Sequence, residues 1–367
     1  MNKIKIHLIA AARPNFMKIA PLYHVLAKEN RTEPFIIHTG QHYDVNMSQA
    51  FFDDFDLPSP HIFLGVGSGT HAEQTGKVMI AYEKVLVQER PDLVVVVGDV
   101  NSTMACALAA VKMGVKTAHL EAGLRSFDRT MPEEINRLVT DAVCDFLWTP
   151  SEDGDQNLLR EGVAAEKITK VGNIMIDSLE MLRKKIEGET VCDEIGVVPG
   201  AYGLLTLHRP ANVDPPEKLK NICDRLVEIS ASIPLVFPVH PRTGKNLHLY
   251  GLMDELENAS GIFLTDPQPY IRFMNLVFNS RLLITDSGGV QEETSYLGIP
   301  CLTLRPNTER PVTVLKGTNR LCRIEEIRPE IDKILSSPPG PRPEIELWDG
   351  RTAGRIVHSI VSIFAGK

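Results

Sequence analysis

The segment Leu93-Val-Val-Val-Val-Gly-Asp-Val-Asn-Ser-Thr-Met-Ala-Cys-Ala-Leu-Ala-Ala-Val-Lys-Met-Gly-Val-Lys-Thr-Ala-His-Leu120 reads as strand, helix, strand. Leu93–Val97 is apolar at every position, so it has no face to offer water and calls for cover on both sides. Ser102–Met113 is a helical stretch, and Lys116–Leu120 is the next strand. A strand, a crossover helix and a second buried strand make a parallel sheet. The same alternation runs back through Ile4–Ile9, Phe35–Ile37 and the amphipathic His71–Glu89, and forward through Glu133–Val143. The first half is therefore doubly wound.

After a polar stretch from Arg183 to Pro199 the pattern restarts, with strand candidates Gly203–Leu207, Pro234–Val239, Gly261–Leu264, Leu282–Thr285 and Cys301–Leu304. These predict a second three-layer α/β domain. The expected class is α/β, with Rossmann-like domains over residues 1–171 and 172–351 and a linking helix over Asn173–Ile186. A final helix, Thr352–Phe364, carries Ile356, Val357, Ile360, Val361 and Phe364 and is expected to pack back onto the first domain. Two wound sheets predict a ligand site in a cleft at the carboxyl ends of their strands.

At 367 residues the chain is long enough for about two domains. Hydrophobic residues make up 43%, which excludes a disordered chain. With 47 acidic against 39 basic residues the net charge is −8, and no Lys/Arg block stands out, so nucleic acid is not the expected partner. Six dispersed cysteines without a C-x-x-C pair suggest neither zinc nor a disulfide framework. No apolar run approaches the roughly 18 residues of a membrane span. A cytoplasmic protein is expected.

Leu282-Leu-Ile-Thr-Asp-Ser-Gly-Gly-Val-Gln-Glu-Glu-Thr294 predicts a buried strand, a Ser-Gly-Gly turn and a helix. Glycines permit close backbone approach, and a helix N-terminus offers N–H groups to phosphate, so Ser287, Gly288 and Gly289 form a candidate cradle. The plainer reading is a tight turn with Ser287 as N-cap. Glu293 is placed to reach a ribose hydroxyl. Arg13, Lys18, His208, Arg209, His240, Arg242 and Arg310 follow strand ends, a set that suits a diphosphate, although each alone reads as a surface charge.

Carboxylates gather in the other half. Asp99 follows Leu93–Val97, Glu121 ends Lys116–Leu120, and Glu133-Glu134 opens a helix after Pro132. Separately, Asp99 reads as a helix cap and Glu133 as a first-turn acid favoured by the helix dipole. Together they suit proton transfer. His119-x-Glu121 lacks the further ligands of a metal site. A nicotinamide cofactor lacks its fingerprint as well, since Ala11-Ala-Arg-Pro-Asn-Phe-Met-Lys18 has no glycine and Gly65-Val-Gly-Ser-Gly-Thr70 ends on Thr. Neither metal nor cofactor is expected.

Read in order, Ala12-Arg-Pro-x-x-x-Lys18, Thr39-Gly-Gln-His42, Gly98-Asp99 with Asn101-Ser-Thr103, His119-Leu-Glu-Ala-Gly-Leu-Arg125, Met131-Pro-Glu-Glu-Ile-Asn-Arg137, Thr285-Asp-Ser-Gly-Gly-Val-Gln-Glu-Glu293 and Thr308-Glu-Arg-Pro311 resemble the non-hydrolysing UDP-N-acetylglucosamine 2-epimerases. The resemblance implies a GT-B fold, a homodimer, and interconversion of UDP-GlcNAc and UDP-ManNAc without NAD, by elimination of UDP to 2-acetamidoglucal and re-addition. It further implies that Asp99, Glu121, Glu133 and His208 are catalytic. Arg13, Lys18, Arg137, Ser287, Gly288, Gly289, Glu293 and Arg310 are implied to bind the UDP-sugar.

Two departures shape the expected substrate and regulation. Ala211 stands in His208-Arg-Pro-Ala-Asn212 where many members carry an acid, and His42-Tyr-Asp-Val-Asn-Met-Ser48 differs from the members activated by UDP-GlcNAc. That segment, with Gly69-Thr-His-x-x-x-Thr-Gly76, is also similar to the branch acting on UDP-2,3-diacetamido-2,3-dideoxyglucuronic acid. The sugar is therefore open between the two. Rival classes are a hydrolysing 2-epimerase, a GT-B glycosyltransferase and a catalytically silent UDP-sugar sensor.

Overall fold

A computed structural model of the chain describes residues 3–40, 52–338 and 340–366, and the backbone but not the side chain of Arg13. Compact packing divides it into residues Met1–Met181 with Glu346–Lys367, and Leu182–Ile345.

The first unit is built on seven parallel strands: β1 (Ile4–Ala10), β2 (Thr32–His38), β3 (Ile62–Phe63), β4 (Leu93–Val97), β5 (Lys116–Leu120), β6 (Phe146–Thr149) and β7 (Ile168–Lys170). Their order is β3-β2-β1-β4-β5-β6-β7. The winding reverses beside β1, which pairs with β2 on one edge and β4 on the other. All five residues of β4 are buried, as its unbroken apolar run requires. Each such side chain contributes about 1.5–3 kcal/mol relative to exposure. Helices Arg13–Lys28, His71–Glu89, Asn101–Lys112 and Pro132–Val143 follow the strands. The His71–Glu89 helix starts on a capping box, in which Glu73 N–H donates to Thr70 Oγ1 at 3.3 Å and Thr70 N–H donates to Glu73 Oε2 at 3.0 Å.

The last helix, Thr352–Ile363, packs against Arg13–Lys28 in the same unit. Asp177 caps its start by accepting from Thr352 N–H at 3.1 Å and Ala353 N–H at 2.8 Å. Burial pushes the Asp177 carboxyl above its ordinary range despite these donors.

The second unit holds β8 (Gly203–Thr206), β9 (Leu235–Pro238), β10 (Ile262–Thr265), β11 (Leu282–Thr285), β12 (Cys301–Thr303) and β13 (Asn319–Leu321). They are parallel in the order β10-β9-β8-β11-β12-β13, so β8 and β11 are neighbours at the reversal. Its core gathers Leu205, Phe237, Ile284 and Leu302 from the sheet with Leu219, Ile222 and Leu226 from the helix Pro216–Ser230. Both units are thus doubly wound α/β sheets, the class expected from the strand pattern. Among the described residues no helix is long and apolar enough to cross a membrane. All six cysteines are buried thiols.

Candidate active site

The carboxyl ends of β1, β4 and β5 carry the first cluster. Asn15, in the first turn of Arg13–Lys28, accepts from Ala12 N–H at 3.0 Å and donates to Val97 O at 3.0 Å, tying the helix start to the end of β4. One turn on, Lys18 Nζ lies 2.5 Å from Glu121 Oε2, and both side chains are almost fully buried. Gly98 makes room for this pair. Its φ is +69°, and a Cβ there would meet Lys18 Nζ at 3.2 Å. Glu121 itself sits in the left-handed region, at φ +73°, where a side chain other than glycine's is strained. Its other oxygen, Oε1, is buried and makes no hydrogen bond among the described residues.

Asp99 is half-buried and accepts from Arg137 Nη1 at 2.6 Å. Arg137 also donates to Glu134 Oε2, from Nη2 at 2.8 Å and from Nε at 3.1 Å. Glu134 further accepts the backbone N–H groups of Ser126 (3.0 Å) and Phe127 (2.9 Å). Burial raises the affinity of Glu134 for a proton, but the Ser126 N–H and the Arg137 guanidinium outweigh it and hold the carboxyl below its ordinary range. Glu133 lies exposed in the same helical turn. The alternative of Asp99 as a helix cap does not describe the geometry, because Val100 holds the N-cap position and no side chain caps it.

Beneath these acids, His119 uses both ring nitrogens: Nε2 on Gly98 O at 2.9 Å and Nδ1 on Asp141 Oδ1 at 2.6 Å. Asp141 also accepts from Gly123 N–H at 3.0 Å and pairs with Arg125 at 2.7 Å. Burial pushes the Asp141 carboxyl up, yet His119 and Arg125 bring it below its ordinary range. This buried set fixes the backbone on either side of Glu121. Among the described residues no group of three His, Cys, Asp or Glu side chains is arranged to hold a metal ion.

The second cluster forms at the ends of β8, β11 and β12. Asp286, fully buried, accepts from the N–H groups of His208 (3.1 Å) and Arg209 (3.0 Å), from Asn212 Nδ2 (3.1 Å), and pairs with His208 Nδ1 at 3.0 Å. Burial pushes the Asp286 carboxyl up; His208 and the backbone donors hold it below its ordinary range. With Nδ1 engaged by Asp286, Nε2 is the ring nitrogen left for a ligand, and the His208 side chain is 39% exposed. Ala211, on the exposed side of the short helix Pro210–Val213, adds no polar atom there.

Ser287, Gly288 and Gly289 turn from β11 into the helix Val290–Leu297, and Gly289, not Ser287, occupies its N-cap. No side chain caps that terminus, and a Cβ on Gly289 would meet nothing within 4 Å. Gly288 is packed from below, since a Cβ there would lie 2.5 Å from Glu309 Oε1 and 3.0 Å from Arg310 Nη1. Arg310 Nε is 2.9 Å from Glu292 Oε2, and its Nη1 donates to Glu309. Arg305 Nη2 donates to Glu309 Oε2 at 2.9 Å. Burial acts to raise the Glu309 carboxyl, but the two guanidiniums drive it far below its ordinary range. Glu293 accepts from Tyr270 Oη at 2.7 Å. Its carboxyl is pushed up to about 7 by burial foremost, with the neighbouring Glu292 charge adding to the rise.

Asp99, Glu121, Lys18 and Arg137 therefore meet in one cluster of the first unit, with Glu133 exposed beside it. His208, Ser287, Gly288, Gly289, Glu293 and Arg310 meet in the other. The Arg13 side chain and the segment His42–Ser48 lie outside the described residues. Glu134, Asp141, Asp286 and Glu309 are the supporting acids that the sequence reading passes over. Glu134 three residues before Arg137, and Asp286 inside the Thr-Asp-Ser-Gly-Gly turn, were the available signals.

The family model described as UDP-N-acetylglucosamine 2-epimerase matches residues 24–361. The UDP-N-acetylglucosamine 2-epimerase of Methanocaldococcus jannaschii is 47% identical over 87% of this chain and 88% of that protein. The UDP-2,3-diacetamido-2,3-dideoxy-D-glucuronate 2-epimerase of Pseudomonas aeruginosa is 40% identical over the same shares. A crystal structure of the M. jannaschii UDP-GlcNAc 2-epimerase in complex with UDP-GlcNAc and UDP superposes with a TM-score of 0.88 at 43% identity, covering 98% of this chain and 99% of that one. The two wound sheets thus have the GT-B-like arrangement of strands seen in these enzymes, and the chain belongs to the UDP-N-acetylglucosamine 2-epimerase family.

Proposed function

We propose that the chain interconverts UDP-GlcNAc and UDP-ManNAc by eliminating UDP to 2-acetamidoglucal and adding it back after the C2 proton returns to the other face. The hydrogen at C2 is not acidified by a carbonyl, so its removal has to be coupled to departure of a stabilised leaving group. The Ser287-Gly288-Gly289 turn, His208, Arg310 and Arg13 hold the diphosphate, and preorganised donors of this kind stabilise charge as the C1–O bond breaks. Glu293 accepts from the ribose. Asp99, Glu121 and Glu133 remove and return the proton and stabilise the oxocarbenium ion, with Lys18 and Arg137 fixing the first two. The protein acts as a homodimer.

The observation that carries this reading is Glu121: a buried carboxylate with one oxygen on Lys18 and the other without a hydrogen bond among the described residues, which leaves a lone pair for a proton. A UDP-sugar sensor has no use for such a group. The test is NMR of UDP-GlcNAc incubated with the protein in D₂O, with UDP-2,3-diacetamido-2,3-dideoxyglucuronic acid run alongside. Deuterium at C2 and appearance of UDP-ManNAc are expected. Exchange with the diacetamido sugar alone moves the activity to that substrate, which the P. aeruginosa relative favours. Tight binding of UDP-sugar without exchange in either sample selects the sensor.

A further inference from the structure

Phe127 has two properties that do not help the fold. It lies at φ +59°, in the left-handed region that an aromatic residue adopts only under constraint, and its side chain is 74% exposed. A strained backbone that holds a large apolar ring in water calls for a reason outside stability. The constraint is visible. Glu134 accepts from the N–H of Phe127 through Oε1 and from the N–H and hydroxyl O–H of Ser126 through Oε2, and this same carboxylate carries the Arg137 guanidinium that holds Asp99. One buried acid thus sets both the loop conformation at Phe127 and the cation on Asp99.

From this juxtaposition we infer that Phe127 is a sugar-positioning residue, whose ring covers an apolar C–H face of the substrate's hexose while Asp99 works on the same sugar. The inference rests on the epimerase reading and assigns it a specificity residue. A pyranose presents C–H groups on its faces and hydroxyls at its rim, so an aromatic plane is suited to fix the ring without competing for its polar groups. The left-handed conformation matters because it sets the ring's direction. Glu134 keeps the loop in that conformation before substrate arrives, so the ordering cost is met in advance. The nucleotide lacks this C–H face, and Phe127 distinguishes UDP-sugar from UDP.

The experiment compares the full chain with Phe127→Gly and Phe127→Trp. Glycine adopts φ +59° without strain, so Phe127→Gly is expected to melt no lower than the parent. Its KM for UDP-sugar is expected to rise about tenfold while its affinity for UDP alone stays unchanged, and Phe127→Trp is expected to restore most of the loss. Equal weakening of UDP and UDP-sugar overturns the inference, because a general disturbance of the site moves both. Unchanged KM in the glycine variant overturns it as well. So does a change in sedimentation coefficient that accounts for the kinetic loss, since that makes Phe127 a contact between subunits. If the parent chain gives no C2 exchange with either UDP-sugar, the epimerase reading itself has failed, and the Phe127 variants are not its cause.

Discussion

At the ends of β4 and β5, Glu121 pairs with Lys18 alone and keeps one oxygen without a hydrogen bond among the described residues, while Arg137 joins Asp99 to Glu134. At the ends of β8, β11 and β12 the arrangement is shared. Arg310 stands between Glu292 and Glu309, and Glu309 stands between Arg310 and Arg305. A one-to-one pair holds a carboxylate in place while leaving it a lone pair for chemistry. An alternating chain of charges makes a stiff floor under a turn, so that in the proposed function the diphosphate meets Arg310 as a fixed cation beside backbone N–H groups and His208. In the proposed function the same fold element, the carboxyl end of a parallel sheet, carries a reactive group in one unit and a rigid receptor in the other.

The largest expected effect tests the reactive side. Glu121→Gln keeps shape and hydrogen bonding but cannot take a proton, and kcat is expected to fall about 10³-fold while UDP binding persists. A loss below tenfold would remove Glu121 from proton transfer and leave the two clusters alike. Next, Lys18→Met strands a buried carboxylate, and chemical denaturation at neutral pH is expected to report a loss of about 3 kcal/mol. The double variant Lys18→Met, Glu121→Gln should recover much of it; simple additivity would mean that the two side chains do not interact.

The floor of the second cluster is probed by Gly288→Ala, which forces Glu309 and Arg310 to move and is expected to cost about a hundredfold in kcat/KM. The same change at Gly289 meets open space and is expected to alter folding stability by no more than about 0.5 kcal/mol. An unchanged kcat/KM in Gly288→Ala would contradict the rigid floor. The pH-dependent effect concerns Glu293. Its folded carboxyl holds a proton up to about 7 against an ordinary 4.5. The folded state is thus favoured at low pH and loses that advantage as pH rises through this window, with the penalty constant above it. Glu293→Gln removes the penalty, so its stability relative to the parent is expected to climb over the same window and level off about 3 kcal/mol higher. Parallel pH–stability curves would show that burial does not perturb this carboxyl.

The buried central strands were legible because burial on both faces forces an unbroken apolar run. Leu93–Val97, Lys116–Leu120 and Leu282–Thr285 have the expected bounds, and Ile4–Ile9 gains only Ala10. The edge strands Ile62–Phe63, Ile168–Lys170 and Asn319–Leu321 are two or three residues long and partly exposed, so no pattern of hydrophobicity marks them. In the site, residues at strand ends could be read from position. Which of Glu133 and Glu134 turns inward could not, because adjacent residues in a first helical turn differ by only 100° or so about the axis. Asp286 and Asp141 were hidden for a related reason: their burial depends on partners far away in sequence, including His208 for the first and His119 and Arg125 for the second.

The closing helix carries a consequence for synthesis. Residues from Glu346 onward belong to the first unit, where Trp348 Nε1 donates to Pro150 O and Arg31 to Phe364 O. They are translated only after the whole of Leu182–Ile345. The seven-stranded unit therefore waits, with the flank of its first helix uncovered, while the six-stranded unit has its entire sequence available to fold. In vectorial folding on the ribosome the second unit can mature first, and the unit begun earliest is completed last.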